Sequence, residues 1–287
     1  MSDSVPFGAL YVVATPIGNL EDMTFRAIRV LKDVSLIAAE DTRHSRRLCT
    51  HFGIETPLTS CFEHNEARKG DYLIQRLQRG EDIALISDAG TPAISDPGSL
   101  LVQRCCEAGI VVHPVPGASA CVAALSMAGL PTDRFCFEGF LPAKQQARRQ
   151  ALQCFVAEQR TMVFYEAPHR LINFLGDVIE VLGEERQLVV VRELTKLHEE
   201  RVGGTAREVL EYFSQGKVRG EIVVLLAPAE PQPIEESVEE SLLRELRDTD
   251  QPMKVVAKQV AKLHGLSGSE VYALAVQLRE KGQLDPQ

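Results

Sequence analysis

The chain has no tryptophan, and aromatic residues fill only 6% of its 287 positions. No apolar run approaches the roughly 18 residues that cross a bilayer, so no membrane-spanning helix is expected. The opening stretch, Met1-Ser-Asp-Ser-Val-Pro-Phe-Gly, has neither the basic segment nor the apolar core of a secretion signal. Seven cysteines, an odd number with Cys105 and Cys106 adjacent and no C-x-x-C pair, fit reduced thiols in a cytoplasmic protein better than a disulfide framework. The seven histidines form no H-E-x-x-H or comparable spacing, so no metal centre is expected. Also missing are G-x-G-x-x-G and G-x-x-x-x-G-K-[ST], which disfavours dinucleotide-binding Rossmann domains and P-loop NTPases. A basic excess is absent too: 31 basic against 40 acidic residues give a formal charge of −9, which excludes a general nucleic-acid coat. The acidity is uneven. Residues 228–250 carry two basic and eight acidic groups, whereas residues 251–287 carry five and three, so a local basic patch remains compatible with the total.

What is present reads as alternating β and α segments. An apolar content of 45% supports a globular core, and the length suggests two domains with a small appendage. Short apolar runs at Leu10–Ala14, Leu36–Ala39, Leu58–Phe62, Ile83–Ile86 and Val111–Val115 read as strands. Helical patterns lie between them: Thr24–Lys32, a segment stopped by Gly53, Glu66–Gly80, and one from about Pro97 to Gly109. Further strands are expected near Phe135–Phe137, Met162–Tyr165, Leu188–Val191 and Ile222–Leu226. Long crossovers imply parallel sheets covered on both faces. After the Pro-rich stretch Ala227–Pro233, three helices are expected at Ile234–Arg247, Met253–His264 and Ser269–Arg279, the last two in a helix-turn-helix layout. The expected division is an α/β domain over 1–115, a second over 116–230, and a helical appendage over 231–287.

In open α/β sheets ligands gather at the carboxyl ends of strands. Ala14-Thr-Pro-Ile-Gly-Asn19 follows the first strand, and Ser87-Asp-Ala-Gly-Thr-Pro-Ala-Ile-Ser-Asp-Pro-Gly98, the densest group of turn formers, follows the fourth. The latter can meet a ligand through its backbone, or serve as a β-α turn with Asp96 as N-cap and Pro97 at N1. Pro116-Gly-Ala-Ser-Ala120 opens a small-residue helix that either approaches a ligand or packs closely on a sheet. Phe164-Tyr-Glu-Ala-Pro-His-Arg170 gathers Tyr, Glu, His and Arg beyond a strand. Arg192-Glu-Leu-Thr-Lys196 does something similar, although a surface salt-bridge run explains it nearly as well.

Taken in order, ATPIGNLEDMT, AAEDTRHSRRL, SDAGTPAISDPG, VPGASA, FYEAPHR, RELTK followed by HEE, and GEIVVLL resemble the small-subunit rRNA methyltransferase I branch of the tetrapyrrole-methylase superfamily. The resemblance runs from about Leu10 to Leu226 and extends to the helical appendage. It implies two α/β domains of the tetrapyrrole-methylase type, S-adenosylmethionine (SAM) in the cleft between them, and a homodimer. It also implies 2′-O-methylation of a cytidine ribose in the decoding region of 16S rRNA, with the assembled subunit as substrate. By the same resemblance Pro16, Asp88, Gly90, Thr91, Ile94, Ser119, Ala120 and Glu166 are SAM contacts. Two departures stand out. Thr15–Asn19 replaces the superfamily's glycine-rich first loop, and Glu166 stands where relatives often carry an apolar residue.

Methyl transfer from an activated sulfonium needs in-line approach of the ribose oxygen and loss of its proton. Asp88, Glu166, His169 and Lys196 are candidate proton acceptors because each lies by an expected strand end; spacing does not choose among them. Candidate RNA contacts are Arg43, Arg46 and Arg47, with His44 among them, and Lys144, Arg148 and Arg149, which share a broad helical face by i,i+4 spacing. Lys254, Lys258 and Lys262 form a further stripe suited to phosphates. Two other readings remain open: a methyltransferase acting on a tetrapyrrole or other small molecule, and a non-catalytic RNA-binding factor.

Overall fold

The computed structural model describes residues 6–62, 66–230, 236–249 and 251–281. Residues 231–235, with the expected linker end and the expected helix start at Ile234, lie outside the described residues. Contacts divide the chain into two units, 1–229 and 230–287.

The first 115 residues alternate as the apolar runs suggest. In chain order they form β1 (Leu10–Val13), α1 (Phe25–Asp33), β2 (Leu36–Ala39), α2 (Thr42–His51), β3 (Leu58–Ser60), α3 (Glu66–Gln78), β4 (Ile83–Ile86), α4 (Ser99–Glu107) and β5 (Val112–Val115). The five strands make an all-parallel sheet in the order β3-β2-β4-β1-β5. Every residue of β2 and β4 is buried, as a sheet covered on both faces requires. Their side chains alternate between two cores. Ile37, Ala39, Ala84 and Ile86 meet α1 and α2, whereas Leu36, Ala38, Ile83 and Leu85 meet α3 and α4. Because the strands are parallel, all their carboxyl ends lie along one edge.

The second half of this unit holds α5 (Ala120–Ala128), β6 (Phe135–Phe140), α6 (Gln145–Gln153), β7 (Thr161–Glu166), α7 (Leu171–Leu182), β8 (Gln187–Arg192), β9 (Glu200–Thr205), α8 (Ala206–Ser214) and β10 (Ile222–Leu226). Here the expectation of a parallel sheet is corrected. The order is β6-β7-β10-β8-β9; only β6 and β7 pair in parallel, and β10 runs antiparallel to both β7 and β8. Strand β9, which the apolar pattern did not announce, pairs antiparallel with β8 and forms an edge. β10 is buried throughout: Ile222, Val224 and Leu226 join the core under α6–α8, while Val223 and Leu225 pack with α5. At about 1.5–3 kcal/mol for each such side chain fully buried, this strand is a large part of the second domain's hydrophobic stabilisation.

The second unit consists of α9 (Val238–Asp248), α10 (Met253–His264) and α11 (Gly268–Glu280) around a core that includes Leu242, Val256, Val260, Val271 and Leu278. Capping boxes from Ser237 with Glu240 and Ser267 with Glu270 start α9 and α11. Gly265, with φ +65°, ends α10 as a left-handed cap. Lys254, Lys258 and Lys262 are exposed on α10. No helix among the described residues is long and apolar enough to cross a membrane.

Candidate active site

The loops after β1 and β4 are stitched together. Thr15 N–H donates to Gly90 O at 2.8 Å, Gly90 N–H donates back to Thr15 O at 3.1 Å, and the buried Thr15 hydroxyl reaches Ser87 O at 3.3 Å. Thr91 Oγ1 donates to Ala118 O at 3.1 Å, which ties the same loop to the start of α5. These ties close one wall of a cavity of about 360 Å³, within the size range of small-molecule sites. Its opposite wall comes from the second sheet: Phe140 of β6, Tyr165 and Glu166 of β7, Leu194 after β8, and Ile222 and Val223 of β10.

Backbone strain concentrates on the same place. Four described non-glycine residues have positive φ: Ala93 (66°), Ser95 (60°), Glu193 (53°) and Thr195 (65°). The first pair lies in the loop after β4 and the second in the loop after β8, and Ser95 and Leu194 line the cavity. Such conformations cost of order 1–3 kcal/mol each and persist where the surroundings over-determine them. Gly18 supplies part of that constraint. A Cβ there would come within 2.5 Å of Lys196 Cγ and 3.0 Å of Leu194 O, so only glycine lets the first loop lie against the β8 loop.

Three acidic residues line the cavity: Asp96, Glu166 and Glu221, the last 3.1 Å from Lys196 Nζ. Asp96 is pushed up to about 6, chiefly by burial and further by the charges of Glu40 and Asp88, against a lowering hydrogen bond from Ser87. Behind it Asp88 N–H reaches Glu40 Oε2 at 3.3 Å, and Asp41 N–H reaches Asp88 Oδ1 at 3.1 Å. Glu166 is 3% exposed. Its Oε1 accepts Ala167 N–H at 2.7 Å and lies 3.0 Å from Arg170 Nε, while its Oε2 is buried with no partner among the described residues. Burial raises its pKa, and the Ala167 N–H and Arg170 oppose that shift. Tyr165, pushed up to about 12 by burial, accepts Cys121 N–H at 3.2 Å, which leaves its own O–H free to donate.

Of the residues singled out from sequence, Gly90, Thr91, Ile94, Ser119, Ala120 and Glu166 line this cavity. Pro16 does not; its neighbour Ile17 does. Asp88 also stands outside the lining, receiving the Asp41 amide beside Glu40. His169 is exposed and outside it. Lys196 is corrected as a proton acceptor. Its ammonium lies 2.9 Å from Glu193 and 3.1 Å from Glu221. Burial, which would lower its pKa, is outweighed by the hydrogen bonds to Glu193 and Glu221, so its pKa is raised from the ordinary lysine value, the wrong direction for a base. Asp96 is corrected as a helix cap: the N-cap of α4 is Gly98, with φ +122°, and Asp96 faces the cavity. Sequence reasoning missed Tyr165, Phe140 and Asp96 as individual site residues, although all but Phe140 fell within loops or strand ends it had marked.

The two basic groups separate. Arg46 and Arg47 on α2 are exposed and form no ion pair among the described residues, and the exposed Arg43 pairs with Asp41 at 2.9 Å. On α6 the expectation of an RNA-facing patch fails. Arg148 is 3% exposed and grips Asp177 through Nε at 2.7 Å and Nη2 at 2.5 Å, with Nη1 on Ala143 O. Arg149 pairs with Asp177 at 2.6 Å and with Glu180. Only Lys144, exposed at the N-cap of α6, keeps its charge toward solvent.

Residues 9–210 match the family model of the tetrapyrrole (corrin/porphyrin) methylases. The chain is 51% identical over 278 residues to the ribosomal RNA small subunit methyltransferase I of Pseudomonas aeruginosa, covering 96% of this chain and 99% of that one. It is 48% identical to the protein of the same name from Escherichia coli O157:H7, covering 94% and 95%. Among solved structures, uroporphyrin-III C-methyl transferase from Thermus thermophilus complexed with S-adenyl homocysteine aligns with a TM-score of 0.55 at 20% identity, over 77% of this chain and 97% of that one. The last likeness shows the fold.

Proposed function

The chain belongs to the tetrapyrrole (corrin/porphyrin) methylase family, in the ribosomal RNA small subunit methyltransferase I branch, and we propose that it methylates the 2′-oxygen of a cytidine ribose in the decoding region of 16S rRNA. The observation that carries this reading is likeness over nearly the full length, appendage included, to relatives named as ribosomal RNA small subunit methyltransferases. The same family likeness supports a homodimer acting on the assembled small subunit, and therefore in the cytoplasm.

The cavity residues suit SAM. Gly90, Ser119 and Ala120 leave backbone open to a close-lying ligand, the lining is mostly apolar, and Glu166 Oε2 is a buried acceptor with no donor among the described residues. The carboxyl groups of Asp96, Glu40 and Asp88 favour a cationic ligand over an anionic one. When bound, SAM supplies a methyl group activated on a cationic sulfur. Thr91, Ser119 and Ala120 would hold it from the first domain, and Glu166 from the second. Glu166 is fixed by Arg170, whose Nη2 also donates to Leu141 O at 2.7 Å, so it binds a donor in one orientation. Asp96 takes the proton of the ribose hydroxyl, being a carboxylate above about pH 6 and lying on the cavity wall.

The test supplies labelled SAM with assembled small subunits, bare rRNA and a tetrapyrrole precursor. Label on a ribose of the small-subunit rRNA is expected; label only in the tetrapyrrole overturns the reading, and label on a base refutes the ribose chemistry. Asp96→Asn should lower kcat by about 10²–10⁴. In the wild type the rate should rise with pH through about 6, as Asp96 loses its proton, and the variant should lose that limb.

A further inference from the structure

Ile94 and Phe140 line the cavity and yet are 48% and 56% exposed. They come from different domains, and each is set in place by unusual backbone. Ile94 sits between Ala93 and Ser95, both at positive φ. Phe140 follows Gly139, with φ +61°, at a register shift in the β6–β7 ladder between Phe137 and Gly139. A bulge of this kind re-aims the side chain beyond it. The two segments touch: a Cβ on Gly139 would lie 2.9 Å from Ser95 Oγ. Behind Phe140 the Tyr165 ring stands edge-on at 5.7 Å, itself backed by Phe137 at 4.8 Å, so the exposed ring has a firm mount.

We propose that Ile94 and Phe140 form a clamp for the target nucleobase at the cavity mouth, holding the nucleotide with its ribose turned inward. The inference rests on the rRNA reading above, and Ile94, which the family resemblance gives as a SAM contact, is then shared between cofactor and base at the cavity mouth. In single-stranded RNA an unstacked base can be splayed out, and such a flat base is held against aromatic and aliphatic side chains. Exposed apolar groups carried on strained backbone are costly for the free protein, and an aromatic ring supplied by the substrate removes that cost. The neighbourhood fits a nucleotide on two further counts. Asp96, two residues beyond Ile94, lines the same cavity and is available there to a ribose hydroxyl. The exposed arginines of α2 begin just past the carboxyl end of β2, the strand beside β4, on the sheet edge that carries the Ile94 loop. They are placed for the phosphates on either side.

The same flat-ring chemistry could come from the adenine of the cofactor, and the experiment separates the two sources. Phe140→Ala and Phe140→Tyr are assayed with assembled small subunits for kcat and KM, and by calorimetry for S-adenosylhomocysteine binding. Phe140→Ala should lose roughly tenfold to a hundredfold in kcat/KM for the subunit, with S-adenosylhomocysteine affinity within twofold of wild type; Phe140→Tyr should restore most of the loss. A parallel loss of S-adenosylhomocysteine affinity would assign the clamp to the cofactor, and an unchanged kcat/KM would refute it outright. Either result overturns the proposal while wild-type methylation of rRNA stands, whereas no label in rRNA from the wild type would count against the function itself.

Discussion

Helices α2 and α6 each carry a run of arginines, TRHSRR in α2 and QARRQ in α6, and the two runs have opposite fates. Arg46 and Arg47 stand in solvent on α2, whereas Arg148 on α6 is buried against Asp177 and Arg149 is drawn to the same carboxylate. The difference lies in the partner. Helix α7 presents Asp177 in the middle of its buried stripe of Leu171, Phe174, Leu175 and Val178. A buried carboxylate without a cation is expensive, so α6 turns its arginines inward. Among the described residues the buried acids are Glu166 and Asp177, both in the second domain, so none of that kind faces α2. Arginine spacing on a helix therefore reports a charged face only when the neighbouring element has no buried acid.

Breaking the buried pair gives the largest expected effect. Arg148→Ala should cost about 3–5 kcal/mol in chemical denaturation, because it strands Asp177. The double change Arg148→Met with Asp177→Leu should cost clearly less than Arg148→Ala alone; an equal or larger loss would mean that the pair stabilises beyond satisfying the buried acid. The pair also carries an acid response. Burial tends to raise Asp177, but hydrogen bonds from Arg149, Gln145 and Arg148 outweigh it and hold its folded pKa below the ordinary aspartate value. Its contribution is complete above about pH 4 and is lost as acid takes the pH through the lowered folded pKa. Asp177→Asn should flatten that part of an acid-unfolding curve, and an unchanged curve would move the acid sensitivity elsewhere.

The α2 side of the comparison predicts binding effects without stability effects. Arg46→Glu with Arg47→Glu should weaken small-subunit rRNA binding about tenfold at moderate salt and lower the salt slope by roughly one to two units, with Tm and SAM affinity unchanged. Arg43→Ala should do least to RNA affinity, since Asp41 already neutralises that guanidinium. If it does most, the Asp41 pair opens on binding.

How much of this was legible depended on where the physics is local. The first sheet could be read strand by strand, most plainly at β2 and β4, because strands buried on both faces are unbroken apolar runs. The second could not be read to the same depth. A run such as IVVLL announces a strand but carries no direction, and β10 runs antiparallel to its neighbours. β9, Glu-Arg-Val-Gly-Gly-Thr, is an edge with half its pattern polar, and it escaped notice. The candidate site was legible at its loops and less so at its atoms. Asp96-Pro97-Gly98 has the look of a capped helix start, and only the left-handed turn at Gly98 frees Asp96 for the cavity. The fate of Arg148 was set 29 residues away, by the one buried acid of an otherwise largely apolar helix.

The bulge at Gly139 also bears on how the protein behaves in a crowded solution. β6 is an outer strand, and its broken register spoils the row of amides and carbonyls that another chain would need for pairing. The other three sheet margins are blunted as well: β3 has three residues, β5 contains Pro114, and β9 contains Gly203 and Gly204. Straightening β6 to a regular strand would therefore do more than turn Phe140 aside. It would leave the second sheet with a continuous rim on which a further molecule could grow, and self-association would increase as catalysis declined.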